Sequence, residues 1–223
     1  MKLKIFFLIL FFYLNTSFAQ RFSAGIAGGF VSSDLAGTDP DDNDFYKAGF
    51  SLGGIFNAKI SSKNSLQFEL LYTLKGSLQP PDSSNNFNYY DLSLYYIEVP
   101  LLFRHKITFN VNKKPIDKFA FETGICIGSL TKIKQSNDPY YGLPDISQYK
   151  KVELAGIIGF SYAILDNFLL DIRYSNSLIP IVKRQDNPNN LFWAYTFNKG
   201  DNMVFYFTLR YLFNSGKAND DNQ

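Results

Sequence analysis

The sequence predicts an all-β chain, an eight-stranded antiparallel transmembrane up-and-down β-barrel. Three observations lead there. The N-terminus carries an export signal. The rest of the chain alternates apolar and polar residues with period two in eight segments. Those segments hold more Phe, Tyr, Leu, Ile and Val than the narrow interior of an eight-stranded barrel can take, so the large apolar face must point outward.

The export signal comes first in the chain. Met1-Lys-Leu-Lys4 is a short basic start, and Ile5 to Leu14 is an unbroken apolar run. That run is too short for a membrane-spanning helix. Ser17 and Ala19 place small residues at −3 and −1 of a cut after Ala19, the pattern of a cleaved signal peptide. An uncleaved anchor is the competing reading, and the small-residue pattern speaks against it. The expected organisation is a leader over 1–19, a barrel over 20–213, and a polar, disordered tail over 214–223 that sits in the periplasm. Losing Lys2 and Lys4 brings the 22 basic residues level with the 20 acidic ones. A neutral mature chain does not fit a nucleic-acid partner. The single Cys126 rules out an internal disulfide.

The eight segments fall at about 21–31, 46–58, 65–77, 92–109, 118–130, 150–163, 167–182 and 201–213. Leu66, Phe68, Leu70, Tyr72 and Leu74 share one face, and Gln67, Glu69, Leu71, Thr73 and Lys75 share the other. The same alternation runs through Phe168, Leu170, Ile172 and Tyr174. It returns in Met203, Phe205, Phe207, Leu209, Tyr211 and Phe213. Side chains alternate faces along a strand, and each segment exceeds the 9–11 residues a tilted transmembrane strand needs. Connections 32–45, 78–91, 131–149 and 183–200 are long; 59–64, 110–117 and 164–166 are short. That asymmetry places the long loops outside the cell and the short turns in the periplasm.

Two aromatic girdles follow. Phe22, Phe68, Phe119, Phe121, Phe168 and Phe213 fall toward the periplasmic rim. Phe30, Phe50, Tyr72, Tyr95, Tyr174 and Phe205 fall toward the outer rim. Small residues occupy the opposite face, at Gly25, Ala27, Gly29, Gly49, Ser51, Gly53, Gly124, Cys126 and Gly128. A secreted lipocalin-like barrel or β-sandwich would also alternate, but it would have to bury the aromatic set inside.

The polar face then lines the lumen. It carries Glu69, Glu98, Glu122, Glu153 and Asp171 with Lys47, Lys75, Arg104, Arg173 and Arg210. Mixed signs predict a paired network, because an unpaired buried charge is costly. The expectation is a plugged interior; a selective channel or proton path is the alternative.

Nothing in the sequence marks catalysis, a cofactor or a metal. The only histidine, His105, sits at the periplasmic end of the fourth segment on the lipid side, with no convergent partners. Asp34, Asp39, Asp41, Asp42 and Asp44 cluster in 32–45 but lack the glycine and distal Glu of an EF-hand loop. They read as a solvated acidic loop. The glycines at 25–29 precede no helix and do not form a nucleotide site. Phe192, Trp193, Tyr195 and Phe197 in the last long loop are candidates for anchoring a partner, or else extend a strand and join the girdle.

Several stretches resemble the PorT-like outer-membrane β-barrel domain common in Bacteroidetes. They are Lys47-Ala-Gly-Phe-Ser-Leu-Gly-Gly, Asn64-Ser-Leu-Gln-Phe-Glu-Leu-Leu-Tyr-Thr-Leu-Lys-Gly, Tyr95-Tyr-Ile-Glu-Val-Pro-Leu-Leu, Phe121-Glu-Thr-Gly and Leu170-Asp-Ile-Arg-Tyr-Ser. Their order and spacing cover essentially the whole mature chain. Pro100 fits the resemblance and predicts a local bend or bulge, since proline cannot donate to the ladder. The resemblance implies a Gram-negative outer-membrane protein in a family that includes a secretion-linked member. The combined expectation is a non-enzymatic barrel, in contact with outer-membrane lipid, with a structural or partner-binding role. Its protein partners would meet the long loops or the periplasmic face. An accessory role in secretion or transport is the second reading, and an outer-membrane enzyme the third.

Overall fold

The computed structural model describes residues 22–36, 45–83, 87, 89–111, 114–137, 145–182 and 200–213. The leader, the tail from 214 and residues 37–44, 84–86, 88, 112–113, 138–144 and 183–199 lie outside the described residues. So do Asp39, Asp41, Asp42, Asp44, Phe192, Trp193, Tyr195 and Phe197.

The described residues form eight strands: β1 (Phe22–Leu35), β2 (Lys47–Lys59), β3 (Asn64–Gln79), β4 (Tyr90–Val111), β5 (Lys114–Asn137), β6 (Val152–Ala163), β7 (Phe168–Ser177) and β8 (Asn202–Phe213). Each pairs antiparallel with the next. β1 closes onto β8 from Ala24↔Phe213 to Leu35↔Asn202, giving a closed barrel in sequence order. Closure leaves no sheet edge around the ring, the condition for crossing a bilayer with strands.

One end carries the tight connections 60–63, 112–113 and 164–167 and the outer ends of β1 and β8. The other carries the long connections. They are called here the turn end and the loop end.

Alternation sets the two surfaces. Ile26, Phe30, Leu52, Phe56, Leu70, Ile127, Phe160, Ile172 and Leu209 are exposed, while Glu69, Gln67, Ile55, Arg210 and Leu102 on the alternate positions are buried. Aromatic contacts ring both ends of this apolar coat. Phe168–Tyr211 (4.8 Å) and Phe119–Tyr162 (4.9 Å) lie at the turn end, and Tyr174–Phe205 (5.0 Å) and Phe50–Tyr72 (6.1 Å) at the loop end.

The elements differ from expectation at their ends. β1 and β5 run on to Leu35 and Asn137, through stretches whose Ser, Asn and Asp content reads as loop. Backbone pairing with a neighbour overrides weak strand propensity there. The 110–117 connection shrinks to two residues. In contrast β7 ends at Ser177, where a strand to 182 was expected. Pro180 has no N–H to offer a ladder. Beyond it, Val182 makes an isolated bridge with Tyr149.

Pro100 causes no register shift. The β3–β4 pairs Phe68↔Leu101 and Leu71↔Glu98 keep one register on either side of it. Only the ladder next to the missing N–H is interrupted. The bulges lie elsewhere on β4–β5, between Tyr95 and Tyr96 and between Ile107 and Phe109.

Candidate functional site in the lumen

The ten acidic and basic positions assigned to the polar face are all buried. Nine of them form two clusters stacked along the axis. The first is nearer the turn end. Arg173 from β7 donates Nη1 and Nη2 to the two Glu69 oxygens of β3, at 2.9 and 2.8 Å, and Nε to Glu122 of β5 at 2.9 Å. Arg104 of β4 donates Nε to Glu122 at 2.7 Å and Nη2 to Ser161 at 3.0 Å. Arg210 of β8 reaches Gln67 at 2.6 Å and Glu122 at 2.5 Å, and also contacts Asp171. Three guanidiniums thus face three carboxylates, with Glu122 touching all three cations. Planar guanidiniums suit this work because one fork can bind two acceptors at once.

The second cluster is nearer the loop end. Lys75 lies 2.6 Å from Glu98 and 2.7 Å from Glu153. Thr73 donates to Glu98 at 2.7 Å, and the Tyr206 hydroxyl lies 3.1 Å from it. Ser177 and Asn202 donate to Glu153 at 2.6 and 3.1 Å. The ammonium also sits 4.4 Å from the centre of the Tyr96 ring. The paired charges thus fall into two groups, Lys75, Glu98 and Glu153 in one and the other six in the other. A cavity with room for about one water lies between them, lined by Glu69, Glu98, Arg173, Tyr206 and Thr208 among others.

Above the second cluster the interior changes character. Leu35, Leu92, Leu94, Tyr96, Tyr149 and Ile181 form a buried apolar cap, backed by Leu130, Ile133 and Val182. Beside it, Ser77 donates to Asp34 at 2.5 Å and lies 2.8 Å from the Tyr90 hydroxyl. Lys47 pairs with Asp91 rather than joining the deeper clusters. Asp34 is therefore a barrel residue, turned inward on β1, and not part of a solvated acidic loop.

His105 is exposed at the turn end with Nδ1 2.7 Å from Asn64. Cys126 is buried against Leu102, Ala155 and Ile157. Among the described residues no group of His, Cys, Asp or Glu could hold a metal ion. Gln67, Thr73, Ser161 and Tyr206, which carry no charge to mark them in the sequence, complete the networks. Parity could have found them, since Gln67 and Thr73 share a strand face with Glu69 and Lys75, Ser161 with Glu153, and Tyr206 with Arg210. Nothing local in the sequence signals the apolar cap.

A closed ring of eight antiparallel strands, apolar outside and ion-paired inside, defines a transmembrane β-barrel. The chain belongs to the outer membrane protein beta-barrel domain family, whose pattern matches residues 18–183. It is an outer-membrane protein in contact with lipid. Among solved structures it is similar to Ail, the attachment invasion locus protein of Yersinia pestis. The two are 14% identical over 86% of this chain and 99% of Ail, with a TM-score of 0.44. It is also similar to Neisserial surface protein A, at 16% identity over 86% and 97% of the two chains and a TM-score of 0.44. No curated protein matches the chain.

Proposed function

We propose that this is a non-enzymatic outer-membrane barrel of PorT-like type, as in Bacteroidetes, whose lumen is a plug and whose loop end faces outside and contacts a partner. The observation that carries the reading is the filled interior. Two ion-paired layers and an apolar cap occupy the axis, so the barrel wall serves as a rigid mount. A solute path would need a continuous wet channel, and a paired, desolvated network does not supply one. Among the described residues the carboxylates of the two clusters are engaged by arginine or lysine and no histidine joins them, which supports a non-enzymatic reading.

On this reading a leader is cut after Ala19 and the tail from 214 lies in the periplasm. The work falls to the long connections, with Phe192, Trp193, Tyr195 and Phe197 as the candidate anchors. Gentle detergent extraction tests this. A partner should co-purify with the native chain and be lost when those four residues are changed to serine, with the barrel still folded. A partner retained by that variant moves the contact elsewhere. Protein export that fails when the chain is deleted supports the secretion-accessory reading instead.

A further inference from the structure

We propose that the outward face of β4 and β5 at the loop end, Tyr95 with Lys132 and Lys134, binds the phosphate of an anionic lipid headgroup in the adjoining leaflet.

The face exists because of a bulge. On β5, Glu122, Cys126 and Gly128 point inward, and continued alternation would send Lys132 and Lys134 inward too. Thr131 is an extra residue: Tyr96 pairs with Leu130, but Tyr95 pairs with Lys132. The Thr131 hydroxyl donates to the Tyr95 carbonyl at 2.9 Å. A bulge of this kind re-aims the side chains that follow it. Ile133 turns inward onto the apolar cap, and both lysines turn outward into exposure.

Their surroundings say what they meet. The two ammonium groups lie 5.7 and 5.8 Å from the centre of the Tyr95 ring. Tyr95 stacks on Tyr72 at 6.2 Å, and Tyr72 faces Phe50 in turn. On the same outward face, toward the turn end, Ile97, Leu101, Ile125 and Ile127 are exposed apolar residues. The lysines therefore stand where the apolar coat stops, at the level of tyrosine rings, which favour the headgroup zone. The acid on this face of β4, Asp91, is engaged by Lys47. Among the described residues neither Lys132 nor Lys134 has a carboxylate partner. Two free cations at that depth complement a lipid phosphate, whose acyl chains would lie along Ile97 and Ile127. A soluble anion would gain nothing from that apolar strip.

Native mass spectrometry of the full chain in detergent tests the proposal. The probes are diphosphoryl lipid A and the same lipid without its phosphates. The native chain should retain the phosphorylated form preferentially. The K132Q/K134Q variant should bind it about tenfold more weakly, K134Q alone should fall between, and K106Q at the turn end should behave as native. Equal binding of both lipids by the native chain overturns the proposal, as does native-like retention by the folded double variant or an equal loss in K106Q. The measurement involves no partner protein and no leaflet orientation, so its outcome is separate from that of the loop-contact reading.

Discussion

Arg173 of β7 and Glu69 of β3 meet across the barrel, two guanidinium nitrogens lying 2.9 and 2.8 Å from the two carboxylate oxygens. The strands that carry them are not neighbours in the ring, so the pair is a strut through the lumen. Its Nε is also bound to Glu122 of β5, which ties three separated strands to one planar group.

Removing one partner of this strut leaves a buried charge unmatched. R173A is expected to destabilise the barrel by about 3–5 kcal/mol, and E69A by a similar amount. The double variant R173M/E69L, apolar and of similar volume, should recover much of that loss. Urea unfolding in lipid vesicles, followed by tyrosine and tryptophan fluorescence, measures all three. Strictly additive losses would mean that the pair has no coupling.

The loop-end half of β3 depends on Gly76. Its φ of +151° lies where side-chain-bearing residues are strained, and an added Cβ would sit 2.0 Å from the Leu92 carbonyl oxygen. G76A is expected to lose about 1–3 kcal/mol and to loosen the contact of Ser33 with the Gly76 backbone, now 3.1 Å. Faster hydrogen exchange at the ends of β3 and β4, with the turn end unchanged, is the expected signature. Uniform exchange throughout would contradict a local effect.

Much of this was legible in the residues. The period-two alternation from Leu66 and from Phe168 gave the strands, and parity placed Arg173, Glu69 and Arg210 inside. The apolar cap was not legible, and the reason is physical. Leu92, Leu94 and Tyr96 share a face with Glu98 and Arg104, so one strand face is apolar at the loop end and charged deeper down. Within the bilayer the solvent outside is hydrocarbon, which drives apolar residues out. Beyond it the solvent is water, which drives them in. The sequence shows both patterns but not the height at which the solvent changes. The Thr131 bulge was hidden for a similar reason: one inserted residue shifts the parity of Lys132 and Lys134 without altering composition.

Asp201, just before β8 at the loop end, should make stability depend on pH. Burial, and then the nearby Glu153 charge, push its carboxyl up to about 6, with Lys150 opposing. A raised acid pKa means that the folded state holds the proton more tightly. The associated stability is complete below the ordinary carboxylate value and is lost as pH rises through 6. D201N should therefore be more stable than the native chain at pH 8 and equal to it near pH 3.5. Urea midpoints at the two values check this, and an equal difference at both would assign the effect to something other than titration.

Planar-bilayer recording of the purified full-length barrel shows whether the lumen is sealed. No stable unitary conductance is expected in the native chain at any applied voltage. A stable open channel in the native chain, with the ion-paired clusters intact, would contradict a sealed lumen.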